Sequence, residues 1–212
     1  MKEIIMVLMS AMLAVTGCSS SQTTQEEPTV QQEQSIQTEQ TVQTEQTEPK
    51  TEEEKVLVAF FSNTGNTENI AKIISEYTGA DLFEIEAADP YTADDLDYND
   101  SGSRTSIEQN DDSARPEISS VLENAGDYDT VFIGYPIWWG QAPKIMYTFV
   151  ESYDFSDAVV IPFCTSGGSG IGDSAVNLQE ASGENTNWLG GQRFSGSADA
   201  EEIQNWIDGL EY

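Results

Sequence analysis

The sequence predicts an α/β domain whose parallel sheet is covered by helices on both faces. Three observations lead there. From residue 55 onward, short apolar runs rich in β-forming residues alternate with stretches of helical periodicity. Three loops of unusual composition, at 62–67, 136–141 and 165–172, each follow one of the buried strands. Ligands of such folds sit beyond the carboxyl ends of the strands, where these loops fall.

Residues 1–17 read as a signal peptide. Lys2 and Glu3 precede an apolar run starting Ile4-Ile5-Met6-Val7-Leu8-Met9, too short for a comfortable membrane span. Val15-Thr16-Gly17-Cys18 resembles a bacterial lipobox. That resemblance implies cleavage before Cys18, lipid on its sulfur and amino group, and an extracytoplasmic protein anchored to a bacterial membrane. No Arg-Arg pair stands near the start, which points to export as an unfolded chain and loading of any cofactor afterwards. Residues 18–54 are mostly Gln, Thr, Glu and Ser, with imperfect repeats such as Gln37-Thr38-Glu39-Gln40-Thr41 and no aromatics. Such a segment buries too little to offset its chain entropy, so a disordered acidic tether is expected.

Residues 55–212 form the folded domain. Val56-Leu57-Val58-Ala59-Phe60-Phe61 is a buried strand, followed by a helix with Ile70, Ile73, Ile74 and Tyr77 on one face and Gly79 as its stop. Leu82 to Ala87 alternates and predicts a half-buried edge strand. The polar stretch 89–116 is dense in Asp and carries Tyr91, Tyr98 and Arg104; a loop of this length is usually functional or disordered. Ile118, Val121 and Leu122 predict a helix. Thr130 to Tyr135 is a buried strand, and Pro143 opens a helix with the stripe Ile145, Met146, Phe149, Val150. Ala158 to Cys164 is another buried strand, 172–181 a short helix and 188–194 a weaker last strand. The final helix begins with Asp199, Glu201 and Glu202, which suit its dipole, and buries Ile203, Trp206, Ile207 and Leu210.

The formal charge is −30, and the chain has no His. Histidine-ligated metals and Ser-His-Asp triads are therefore excluded. The folded part sets 28 acids against Lys55, Lys72, Arg104, Arg115, Lys144 and Arg193, a net −22. A nucleic-acid partner would need a basic face instead. Glu84, Glu86 and the aspartates of 94–112 read as solvated surface rather than metal ligands, with a calcium site in that loop as the alternative although the 12-residue EF-hand pattern is absent. Cys164 reads as a small core hydrophobe, without a disulfide partner once Cys18 is lipidated.

The loops suggest the chemistry. Ser62-Asn63-Thr64-Gly65-Asn66-Thr67 packs three hydroxyls, two carboxamides and a glycine between a strand and a helix, an anion site built from neutral donors and a helix N-terminus. Pro136-Ile137-Trp138-Trp139-Gly140 places adjacent Trp side chains in a turn, where they diverge; one is free to meet solvent or a planar ligand. Thr165-Ser166-Gly167-Gly168-Ser169-Gly170-Ile171-Gly172 lets backbone approach a ligand edge closely.

Together these loops resemble the flavodoxin family, and more closely its bacterial flavodoxin-like lipoproteins. The resemblance covers about residues 55–212. It implies a flavodoxin-like three-layer α/β/α fold with a five-stranded parallel sheet in the order 2-1-3-4-5 and non-covalent FMN at its carboxyl edge. It makes Ser62 to Thr67 the FMN-phosphate loop, Pro136, Ile137, Trp138, Trp139 and Gly140 the first isoalloxazine loop, and Thr165, Ser166, Gly167, Gly168, Ser169 and Gly170 within the second. The extended 89–116 segment departs from simple flavodoxins and has room to cover the flavin. The expected function is electron transfer to a redox partner with a basic docking face, at a low potential set by the acidic domain. An FMN-dependent NAD(P)H reductase of quinones or similar small acceptors is the alternative. A non-flavin binding module on the same fold is the third reading.

Overall fold

The computed structural model describes residues 54–183 and 185–211. The readings of a signal peptide at 1–17, lipidation at Cys18 and a tether through residue 53 lie outside the described residues. Six strands form one parallel sheet: β1 (Val56–Phe60), β2 (Asp81–Glu84), β3 (Thr130–Pro136), β4 (Val159–Thr165), β5 (Asn187–Trp188) and β6 (Gln192–Phe194). Among the described residues five α-helices accompany them: α1 (Asn66–Thr78), α2 (Arg104–Gln109), α3 (Lys144–Ser152), α4 (Ser174–Ser182) and α5 (Ala200–Asp208). The strand order is β2-β1-β3-β4-β5, with β6 also paired to β4, so the predicted 2-1-3-4-5 arrangement is present.

Alternation along the central strands divides the core. Val58, Phe60, Phe132, Ile161 and Phe163 meet α1 and α5 through Ile70, Ile74, Ile203 and Ile207. Leu57, Ala59, Val131, Ile133, Tyr135 and Val160 face the other way, onto Ile145, Met146 and Phe149 of α3 and Leu178 of α4. Gly134 has no side chain because the Phe163 ring takes its space; a Cβ there would lie 2.2 Å from Phe163 Cζ.

Three elements differ from the sequence expectation. The predicted strand from Leu82 to Ala87 ends at Glu84, and Ala87 instead forms an antiparallel bridge with Ile118. That bridge also replaces the helix expected at Ile118, Val121 and Leu122. Ala88 donates to the Glu117 carbonyl (2.8 Å) and Ser119 to the Glu86 carbonyl (2.9 Å), so extended backbone is satisfied across chain and Val121 is left 75% exposed. The last strand, expected to run unbroken over 188–194, is split. Pairing to β4 stops at Val160↔Trp188 and resumes at Phe163↔Gln192, with three residues opposite two. Leu189 donates to the Val160 carbonyl, so the next position facing this strand is Pro162, which has no N–H to offer.

Candidate functional site

A cavity of about 580 Å³ opens at the carboxyl edge of the sheet, within the range of small-ligand sites. Its walls include Ser62, Asn63, Thr64, Asn66 and Thr67 from the first loop, Pro136, Ile137 and Trp138 from the second, and Thr165, Ser166 and Gly167 from the third. Gly65, Trp139, Gly140, Gly168, Ser169 and Gly170 belong to the same loops but stand outside the cavity wall.

The first loop turns from β1 into α1 through Gly65, whose φ of +82° is a left-handed value that glycine adopts without strain. No side chain caps α1, so its first N–H groups remain available toward the cavity. Asn66 donates its amide to Thr64 Oγ1 (3.1 Å). Thr67 and Thr165 share a buried hydroxyl–hydroxyl bond of 2.8 Å that ties the first loop to the third. Ser62 Oγ is buried and has no hydrogen-bond partner. No Lys or Arg contributes to the cavity wall. An unpartnered hydroxyl, a helix N-terminus and neutral donors form a chemical cradle for an anion such as a phosphate.

The Trp pair is resolved by a tight turn. Trp138 and Gln141 exchange two backbone hydrogen bonds of 2.9 Å, with Trp139 (φ +49°) and Gly140 (φ +79°) between them, as in a two-residue hairpin of mirror-image type. The turn sends the two indoles apart. Trp138 is 4% exposed and packs edge-on against Phe61 and Tyr91. Trp139 is 40% exposed and lies 4.4 Å from the Tyr98 ring centroid. A left-handed φ at a Trp is uncommon and is held here from both sides. Gln109 of α2 donates to the carbonyls of Trp138 (2.8 Å) and Ala142 (3.3 Å). Asn177 of α4 donates to Gln141 Oε1 (2.7 Å).

Four wall residues escaped the sequence reading, Leu96, Ser195, Gly196 and Ser197, while Tyr98 was noted there only as part of the 89–116 stretch. Ser195-Gly196-Ser197 follows the last strand and precedes α5, the same position relative to its strand as the three loops already singled out, so a signal existed. A Cβ on Gly196 would sit 2.4 Å from Asn66 Oδ1, so this glycine makes room for a first-loop side chain. Leu96 and Tyr98 come from the 89–116 segment, whose length marked it as able to cover the site, although Leu96 itself had no local signature. Arg104 of that segment does not reach the cavity wall. It bonds Glu108 (2.7 Å) and the Asp89 carbonyl (2.7 Å), and stacks 4.0 Å above the Tyr91 ring. Burial, and then the Glu108 carboxylate that accepts from its hydroxyl, hold the Tyr91 phenol far above its ordinary range.

Comparison with known proteins agrees with the architecture. A family model described as Flavodoxin matches residues 55–210. A protein of Bacteroides eggerthii, assigned provisionally as a flavoprotein, is 47% identical, with a TM-score of 0.68 over 73% of this chain and 96% of its own. One of Bacteroides uniformis, with the same provisional assignment, is 43% identical, with a TM-score of 0.70 over 73% of this chain and 98% of its own. A Lactobacillus acidophilus flavoprotein in complex with FMN is 26% identical, with a TM-score of 0.54 over 73% and 99%. No curated protein matches the chain. With the parallel 2-1-3-4-5 sheet, the loops gathered at its carboxyl edge and a family match over most of its length, the chain belongs to the flavodoxin family.

Proposed function

We propose that this cavity holds FMN non-covalently and that the protein is an extracytoplasmic electron carrier, anchored by lipid at Cys18 to a bacterial membrane. The observation that carries the cofactor reading is Ser62 Oγ, buried at the cavity wall without a partner beside the open N-terminus of α1. A flavin phosphate supplies the missing acceptor. Ser62, Asn63, Thr64, Gly65, Asn66 and Thr67 would hold that phosphate. Pro136, Ile137, Trp138, Trp139 and Gly140, with Thr165 to Gly170, would hold the ring. Bound FMN supplies the redox chemistry. The chain binds, orients and shields it: the Thr67–Thr165 bond fixes two loops relative to each other, and Leu96 and Tyr98 add an outer wall against water.

The visible spectrum of the purified full chain, with any released flavin identified, tests this reading. A yellow protein releasing FMN is expected; a chain that neither retains nor rebinds flavin overturns it. The anchor is tested by lipid labelling and membrane fractionation of Cys18→Ala, which should release the protein from the membrane.

A second reading, FMN-dependent reduction of quinones or similar acceptors by NAD(P)H, is favoured by the added wall of Leu96 and Tyr98. Arg104 lends it no support, being committed to Glu108 and Asp89. Quinone-dependent turnover of NAD(P)H would establish the reductase. Its absence, with electron exchange to a basic redox protein, supports the carrier.

A further inference from the structure

We infer that Arg193 organises the third loop of the cavity and is the cation whose charge acts on the bound cofactor. Arg193 lies in β6, in register with Cys164 of β4, beside the point where the loop leaves the sheet. Its Nε donates to Ser166 Oγ (3.1 Å) and its Nη2 to the Ser166 carbonyl. Ser166 Oγ donates in turn to the Ser169 carbonyl. The loop between them is Gly167-Gly168, with no side chains to hold a conformation. Its order therefore depends on a fork of guanidinium donors delivered from the neighbouring strand, a geometry that lysine does not reproduce. Ser166 and Gly167 are themselves cavity wall.

Among the described residues the other five cations stand against carboxylates: Lys55 with Asp127, Lys72 with Glu68, Arg104 with Glu108 and Asp89, Arg115 with Glu151, and Lys144 with Asp112. Arg193 makes no such ion pair there; both of its side-chain hydrogen bonds are donated to a neutral serine. In a domain of net −22 it is, among the described residues, a positive charge beside the cavity wall that no carboxylate pairs with. Being half-buried, it is screened less than a surface charge. Its field opposes that of the domain and favours the more negative, reduced form of a bound flavin. The inference rests on the FMN reading above and identifies the residue that keeps the potential from falling as far as the acidic domain alone would set it.

The test compares the full wild-type chain with Arg193→Gln and Arg193→Lys. Dissociation constants are measured for oxidised and for reduced FMN, and hydrogen exchange is followed at 165–170 without flavin. In R193Q, affinity for reduced FMN should fall about tenfold more than affinity for oxidised FMN, as expected for loss of one poorly screened charge. R193K should keep the wild-type ratio to within about twofold, because the charge remains. Both variants should exchange faster at 165–170. An unchanged affinity ratio in R193Q overturns the electrostatic role, and unchanged exchange in R193K overturns the positioning role even if R193Q does not fold. If wild type binds no FMN, the proposed function fails, and the exchange measurement still decides whether Arg193 orders the loop.

Discussion

At the Ser62 end of the cavity the wall is built mainly by neighbours in sequence: a strand, a five-residue turn ending in a left-handed glycine, and the first turn of a helix. At the Trp138 end the wall is held by residues far along the chain. Gln109 of α2 and Asn177 of α4 grip the turn, and Phe61, Tyr91 and Tyr98 receive its two indoles. The first end offers backbone N–H groups and hydroxyls that need little support. The second presents aromatic surface whose orientation depends on packing. A wall of local donors and a tertiary aromatic wall therefore differ in what a distant mutation does to them.

Removing what both ends share should have the largest effect. Gly134→Ala places a Cβ 2.2 Å from Phe163 in the central strands, and overpacking of this kind costs ~3 kcal/mol or more. Thermal unfolding should show a large fall in midpoint, with binding lost at both ends together. Gln109→Ala separates them. It removes two hydrogen bonds from α2 to the Trp138 turn, worth ~2 kcal/mol together. Titration should then show FMN and riboflavin losing affinity alike, since the ring is common to both ligands. Gly196→Ala works from the opposite side, pushing Asn66 away from Thr64. FMN affinity should fall about tenfold, or ~1.4 kcal/mol, while riboflavin, lacking the phosphate, is unaffected. Equal losses for the two ligands in G196A would erase the proposed division of labour.

The smallest effect tests the sheet beneath both ends. Burial pushes the Cys164 thiol up to about 12, against the lowering influence of Arg193. The folded thiol thus holds its proton where the unfolded one, near 9, has lost it. Since the native state binds more protons in that window, this group's stability contribution is full below pH 9 and declines as pH rises toward 12. Thiol reagents at pH 8 should label Cys164 only after unfolding. Labelling of native protein would mean that the third loop opens readily.

What the sequence disclosed follows the same divide. The 62–67 loop was legible because strand, turn and helix lie side by side and each has a local signature. The Trp pair was legible as an anomaly, but the hairpin that separates the indoles was not, because its supports come from residues 109 and 177. Ile118, Val121 and Leu122 have helical spacing, yet pairing with 86–88 competes for the same backbone groups and prevails. The break in the last strand reflects Pro162 on its neighbour, a cause that no reading of 188–194 alone contains. Ser195-Gly196-Ser197 was a missed inference rather than a hidden one, since its place after the last strand is evident from order alone.

The bridge between Ala87 and Ile118 has a consequence for heredity. It brings the two stems of the intervening segment together with cross-chain hydrogen bonds on either side, Ala88 to Glu117 and Ser119 to Glu86. Closing a longer or shorter loop on a fixed stem changes the entropic cost only slowly with length. The segment is thus a cassette: descendants of this gene can lengthen, shorten or rewrite what lies between the stems while the register of the parallel sheet stays untouched. Leu96 and Tyr98 travel inside it. The part of the cavity most open to evolutionary revision is this outer wall, and the end at Ser62 is inherited with the sheet.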